Sequence, residues 1–179
     1  MINYNNFLIL ESTEINIKYA KDFPYVINFF KKYYPDKNIN NVKIQIVDNN
    51  NWPHGKPKQT EFSYEKKLIK IHEDEVNIDE KYGWLIHEVG HYLDSIGERK
   101  KFLIPPSGKE YPNAKNEQTP MWYQFHYFLI KGYSENDVIK LLKESYDNVK
   151  DSNTLWDTDK NNFFREYYNK IKDILEINN

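Results

Sequence analysis

The sequence predicts an α+β fold in which a small twisted sheet packs on a central helix and a helical half follows. Residues 42–47 alternate between apolar and polar side chains, and residues 60–71 contain two strand-like runs separated by a polar pair. Residues 79–96 instead carry apolar side chains at helical spacing, which predicts the central helix. Beyond residue 97 the apolar positions again follow helical periodicity.

Length and composition are typical of a single globular domain. A chain of 179 residues with 16% aromatic residues is large enough to bury a stable core without disulfide bonds. We expect one domain, in which residues 1–97 supply the sheet and the central helix and residues 98–179 form a helical subdomain. The chain has no cysteine, which excludes disulfides, a thiolate zinc site and cysteine catalysis.

Charge and hydropathy argue against two classes of partner. The 25 basic and 27 acidic side chains give a net charge of −2, so nucleic acid is not expected as the main partner. No stretch approaches the ~20 apolar residues of a membrane span, and residues 1–20 lack the pattern of a signal peptide. We expect a soluble protein, either cytoplasmic or, if a signal peptide was removed before this numbering begins, secreted.

The first predicted elements are two short strands and one helix. Residues 7–10 form an apolar run and residues 15–19 alternate, so each is predicted to be a strand. Asp22 and Pro24 are typical of a helix start, and the helix that follows them should end before Pro35.

A loop and a hairpin precede the central helix. Residues 48–59 are rich in Asn, Pro, Gly and Lys, which predicts a loop. Trp52 in this loop either anchors it or contacts a ligand, and anchoring is preferred because loop aromatics usually pack locally. Residues 60–64 and 67–71 form the predicted hairpin. An edge strand beside the central helix is a candidate for pairing with an extended peptide.

Signals at both ends bound the central helix. Asn77 or Asp79 can cap its start, and Gly97 suits its end. At about 100° per residue, its apolar side chains form one stripe opposite the histidine side. The stripe comprises Tyr82, Leu85, Val89, Tyr92, Leu93 and Ile96. We expect core on that side and a polar cleft on the other, where Gly83 and Gly90 would let substrate or a strand approach closely.

The carboxy-terminal half contains a loop and three predicted helices. Residues 98–116 include three prolines and a glycine, so they form a loop long enough to be functional. The helix over residues 121–130 is apolar nearly all round and should be buried. Ser134 and Asp137 resemble the capping box of the next helix, and the last helix covers residues 159–177 with one apolar stripe.

The central helix carries His87-Glu88-Val89-Gly90-His91, an H-E-x-x-H sequence. Histidines four residues apart on a helix are offset by about 40° and about 6 Å, so both imidazoles can hold one metal ion. Glu88 lies about 100° round from His87, where it can reach a water on that metal. This is the pattern of zinc peptidases, in which the glutamate acts as general base. Alternatively, both histidines are ordinary hydrogen-bonded residues and Glu88 is a solvated carboxylate.

A catalytic zinc site takes three protein ligands, so one ligand must come from outside the motif. The metzincin pattern requires glycine three residues and histidine six residues after His91, where this chain has Asp94 and Gly97, so that class is excluded. Downstream carboxylates remain, of which Glu110 and Glu117 are the candidates. Glu117 could also be a helix-start carboxylate that the helix dipole favours without any metal.

The span from about residue 60 to residue 132 resembles a minimal gluzincin metallopeptidase, a class that takes a glutamate ligand from a second, downstream helix. Within it, the sequence HEVGHYLD resembles the active-site helix of the anthrax lethal factor and Pro-Pro endopeptidase branch. That branch also carries an aspartate three residues after the second histidine and a tyrosine shortly before the glutamate ligand.

The resemblance implies a zincin-like fold and a zinc metalloendopeptidase that acts on an extended peptide or protein substrate. The roles that it implies are His87, His91 and Glu117 as Zn²⁺ ligands with Glu110 in reserve, Glu88 as base, Asp94 as a hydrogen-bonding partner of the ligands, and Tyr111 as oxyanion donor. The alternative is a non-catalytic zincin-fold protein that binds or regulates. The intact Glu88 favours the enzyme, because a binding protein has no need of a base.

Overall fold

The computed structural model describes residues 15–16, 23–53, 60–76, 83–100, 102–107, 112, 114–148 and 158–175. Within these ranges the chain forms an α+β fold with a small mixed sheet and five α-helices, as expected. The strand predicted at residues 7–10 lies outside the described residues.

The elements follow the predicted order. They are β1 (Ile15–Asn16), α1 (Pro24–Tyr33), β2 (Lys43–Val47), β3 (Glu61–Ser63), β4 (Leu68–His72), a 3-10 turn (Glu73–Glu75), α2 (Trp84–Ser95), α3 (Gln118–Ile130), α4 (Glu135–Asn148) and α5 (Thr158–Ile174). The strands lie in the order β1-β2-β4-β3, with β2 and β4 parallel and the other two pairs antiparallel. The strands predicted at residues 42–47, 60–64 and 67–71 are therefore confirmed to within about two residues. Of the strand predicted at residues 15–19, residues 15–16 form β1 and the others lie outside the described residues.

Apolar pairs at the centre of the sheet hold β2 and β4 together. Ile44 lies opposite Ile69 and Ile46 opposite Ile71 in the parallel ladder, and three of these four side chains are fully buried. β4 is flanked on both edges, which leaves β3 at one edge of the sheet, in contact with α2. The loop that follows β2 is anchored by Trp52, whose buried ring packs edge-on against His72, as predicted.

The central helix α2 begins later than the sequence suggested. Gly83 has a φ of +69° and precedes the helix, so a helix capped by Asn77 or Asp79 cannot run through this position. A Cβ at Gly83 would lie 2.8 Å from the Tyr127 ring, so both the backbone angle and the packing require glycine here. At the other end the prediction is confirmed, because Gly97 has a φ of +88° and the Glu98 amide donates to the Leu93 carbonyl.

Both faces of α2 are covered, which corrects the expectation of an open polar cleft on the histidine side. His87 and His91 are only 6% and 7% exposed. The reason is that α3 packs closely against this face at Gly90, where an added Cβ would lie 2.5 Å from the Pro120 Cα. On the apolar side Leu85, Val89, Tyr92 and Leu93 of the predicted stripe are buried and Ile96 is 38% exposed, whereas Tyr82 lies outside the described residues.

Helix α3 is buried on almost every side, as its uniform apolar character predicts. It begins at Gln118, so Pro120 lies in the first turn, where its missing N–H is not needed for the helix ladder. The helix ends at Ile130, and Gly132, which has a positive φ, turns the chain so that the Tyr133 amide donates to the Phe128 carbonyl. With 13 residues it is too short to cross a bilayer, and across the described ranges no helix is both long and apolar enough to do so.

The last two helices complete the helical half. The amide of Asp137 donates to the Ser134 hydroxyl oxygen, while the Ser134 amide donates back to the Asp137 carboxylate, so the predicted capping box is confirmed. The apolar stripe of α5 is buried over Phe163, Phe164, Tyr167, Tyr168 and Ile171.

His126 of α3 is a buried core histidine. The Tyr34 hydroxyl and His126 Nδ1 form a hydrogen bond of 2.6 Å, and the ring of Phe29 packs edge-on against the imidazole. Burial, assisted by the nearby charge of Lys100, lowers the pKa of His126 to about 4. The fold therefore holds this imidazole in its neutral form.

Lowering the pH from about 7 to about 4.5 should reduce the free energy of unfolding by about 2 kcal/mol through His126 alone. In this window the unfolded chain, with a histidine pKa of about 6.5, binds more protons than the folded chain, so stability falls as the pH falls. Urea unfolding at both pH values checks this in the parent and in His126→Asn, which keeps an acceptor near the Nδ1 position. Equal losses in the two proteins would contradict it.

Candidate metal centre

The two motif histidines lie one turn apart on α2 and converge. Their ring centroids are 4.9 Å apart, and both side chains are buried between α2, α3 and β3. One ring nitrogen of His87, one ring nitrogen of His91 and one carboxylate oxygen of Glu88 all lie within 4.8 Å of one another. These three side chains form a group that could hold a metal ion.

Glu117 brings a second carboxylate to the same point. It is the residue immediately before α3, and its Oε2 lies 3.3 Å from His87 Nε2 and 3.5 Å from His91 Nε2. The close approach of α2 and α3 at Gly90 makes this possible. Of the two carboxylates considered from the sequence, Glu117 thus reaches both histidines, whereas Glu110 lies outside the described residues, as does Tyr111.

Each histidine also has a partner for its other nitrogen. His87 Nδ1 lies 3.1 Å from Gln124 Oε1, and His91 Nδ1 lies 2.8 Å from the Tyr64 hydroxyl. An Nδ1–H that donates to these oxygens leaves the Nε2 lone pair of each ring available for a metal ion, which is the tautomer that metal binding through Nε2 requires. We use the name metal centre for His87, Glu88, His91 and Glu117.

Neither Nδ1 partner was expected from the sequence. Gln124 follows Glu117 by seven residues, two helical turns, so the periodicity of α3 could have placed it on the same face. Tyr64 lies in the turn after β3, and no local pattern connects it with α2.

Asp94 does not take the role that the resemblance implied. Its carboxylate accepts a hydrogen bond from Arg99 Nε at 2.7 Å, whereas the histidine Nδ1 atoms bond to Gln124 and Tyr64. Burial raises the pKa of Asp94, and the Arg99 guanidinium opposes that rise. The ion pair with Arg99 explains how an acidic side chain is tolerated near the carboxy-terminal end of α2, where the helix dipole disfavours it.

The surroundings shift the pKa values of the two glutamates of the metal centre in opposite directions. Burial alone would raise the pKa of Glu117, but hydrogen bonds from the two imidazoles outweigh it and hold that pKa well below its usual range. Burial raises the pKa of Glu88, and the nearby imidazoles of His91 and His87 only partly offset the rise. Glu117 is therefore suited to remain ionised, whereas Glu88 is suited to accept a proton.

Comparison with known proteins gives no relative from which a function could be transferred. No protein-family model, no curated protein and no solved structure matches this chain. The basis for assigning a function is therefore the chemistry and geometry of the metal centre itself.

Proposed function

We propose that the protein is a zinc-dependent metallopeptidase of the gluzincin type with a zincin-like fold. The observation that carries this proposal is the convergence of two Nε2 atoms on Glu117 Oε2 at 3.3 and 3.5 Å. A tetrahedral site with metal–ligand bonds of about 2.0 to 2.1 Å requires ligand atoms about 3.3 Å apart. The two distances from Glu117 Oε2 to the histidines therefore match the spacing of ligands around one ion.

The chemistry of the donors favours zinc over harder cations. Two neutral imidazoles and one carboxylate suit Zn²⁺, whereas Mg²⁺ and Ca²⁺ prefer sites built from oxygen alone. His87, His91 and Glu117 would hold the ion. When bound, Zn²⁺ would polarise the scissile carbonyl and make a water molecule acidic enough to be deprotonated near neutral pH.

Glu88 is the residue for proton transfer. In the proposed reaction its carboxylate accepts a proton from the attacking water as the new bond from oxygen to the carbonyl carbon forms. The same carboxyl group then gives this proton to the amide nitrogen as the carbon–nitrogen bond breaks, and a carboxylic acid and an amine leave. Its burial, which raises its pKa, makes it a stronger base than an exposed glutamate.

The sheet edge beside α2 suits an extended substrate. β3 is paired with β4 on one side only within the described sheet, and it contacts α2. An extended peptide that adds to this edge would run past the metal centre, with its main chain hydrogen-bonded to β3. Tyr64, which is 44% exposed, directly follows this strand and contacts His91.

Metal analysis and a cleavage assay on one purified sample test the proposal. We expect about one Zn²⁺ per chain and cleavage of members of a diverse peptide library. A chelator should abolish the cleavage, and added Zn²⁺ should restore it. A protein that holds no zinc would overturn the proposal. A protein that holds zinc but cleaves neither peptides nor folded proteins would instead favour a non-catalytic zincin-fold protein.

A further inference from the structure

Two residues outside the metal centre hydrogen-bond to its ligands. The Tyr64 hydroxyl lies 2.8 Å from His91 Nδ1, and the Asn116 side-chain amide lies near this hydroxyl. Asn116 Nδ2 also donates to Glu117 Oε1 at 3.2 Å. A hydrogen bond from Asn116 to Tyr64 would complete a path from one predicted ligand, His91, through Tyr64 and Asn116 to another, Glu117.

The donors and acceptors along this path are consistent with metal ligation. If His91 Nε2 is a ligand, Nδ1 carries the hydrogen and donates to Tyr64 Oη, which has a second lone pair for Asn116. The Asn116 amide carries two hydrogens, so Nδ2 can donate to Tyr64 Oη and to Glu117 Oε1 together. Glu117 Oε1 is then occupied, and Oε2 remains directed at the two histidines.

We propose that Tyr64 and Asn116 are positioning residues that fix the His91 ring and the Glu117 carboxylate in the arrangement that binds the metal. This inference rests on the proposed metal centre. It assigns the same role to Tyr64, in the turn after β3, and to Asn116, the residue before Glu117. No sequence motif connects these two residues. Partners of this kind orient ligands and raise their basicity, and their removal typically weakens metal binding 10- to 100-fold.

A packing role alone does not account for Tyr64. Its ring contacts those of Phe62 and His91, with centroids 5.0 and 5.7 Å away, and phenylalanine would keep both contacts. The variant Tyr64→Phe therefore removes only the hydroxyl. Tyr123→Phe is a matched control, because Tyr123 lies on α3 and its buried hydroxyl has no hydrogen-bond partner within the described part of the chain.

The experiment measures Zn²⁺ affinity by competition with a chromogenic chelator in the parent, Tyr64→Phe, Asn116→Ala, the double variant and Tyr123→Phe. We expect each of the first two changes to weaken binding about 10- to 100-fold and Tyr123→Phe to leave it unchanged. The double variant should lose less than the product of the single losses, since both residues act through one path. The visible absorption of bound Co²⁺, which reports ligand geometry, should change in the same variants.

Unfolding of the metal-free proteins separates positioning from stability. Tyr64→Phe and Asn116→Ala should unfold like the parent when metal is absent, because the hydroxyl and amide matter chiefly to the ligands. Affinities within about twofold of the parent would overturn the inference while leaving the metal centre intact. If the loss of Zn²⁺ affinity in the double variant equals the product of the two single losses, the two residues act independently and not through one path. A parent that binds no Zn²⁺ would overturn the proposed function and this inference together.

Discussion

Glu88→Gln should reduce peptide hydrolysis by at least ~100-fold while the protein keeps its full zinc content, because glutamine has the size of glutamate but cannot accept the proton. The substitution should not harm folding, since it removes a buried carboxylate whose charge is disfavoured by burial. Steady-state rates on one cleaved peptide, with metal analysis of the same samples, measure both effects.

Glu75→Gln is the matched control for this change. Glu75 is a half-buried glutamate in the 3-10 turn, and burial raises its pKa as it does that of Glu88, but it lies outside the metal centre. Its variant should cleave at the parental rate. If Glu88→Gln cleaves as fast as the parent, the proton acceptor is another group.

His91→Ala should abolish stoichiometric zinc binding and all peptide hydrolysis. Alanine leaves only His87 and Glu117 as protein ligands, one fewer than a catalytic zinc site takes. Glu117→Ala should have the same effect, because its Oε2 completes the arrangement of the two Nε2 atoms. Metal analysis after dialysis and a cleavage assay on both variants provide the measurement.

His126→Asn serves as the histidine control, since His126 bonds to Tyr34 in the core and should not affect metal content. Unchanged zinc in His91→Ala would eliminate the proposed site. If Glu117→Ala keeps its zinc and Glu110→Ala loses it, the third ligand is Glu110 instead.

Local sequence signals predicted the elements that depend on neighbouring residues. The capping box of Ser134 and Asp137 and the left-handed Gly97 are interactions within one turn, so they can be read from a few residues. The start of α2 was missed because Gly83 was interpreted as a helical residue. The Tyr127 ring, which is distant in sequence, also leaves no room for a Cβ at this position.

By itself the sequence determined which side chains can serve as ligands and base within α2, because helical geometry fixes the relation of His87, Glu88 and His91 over one turn. Only the tertiary structure decided which residues from other elements contact these side chains of α2. Glu117 meets both histidines because α3 approaches α2 at Gly90, and Tyr64 reaches His91 because the sheet places β3 beside α2. Such contacts join residues that are far apart in the chain, and packing of whole elements sets their distances.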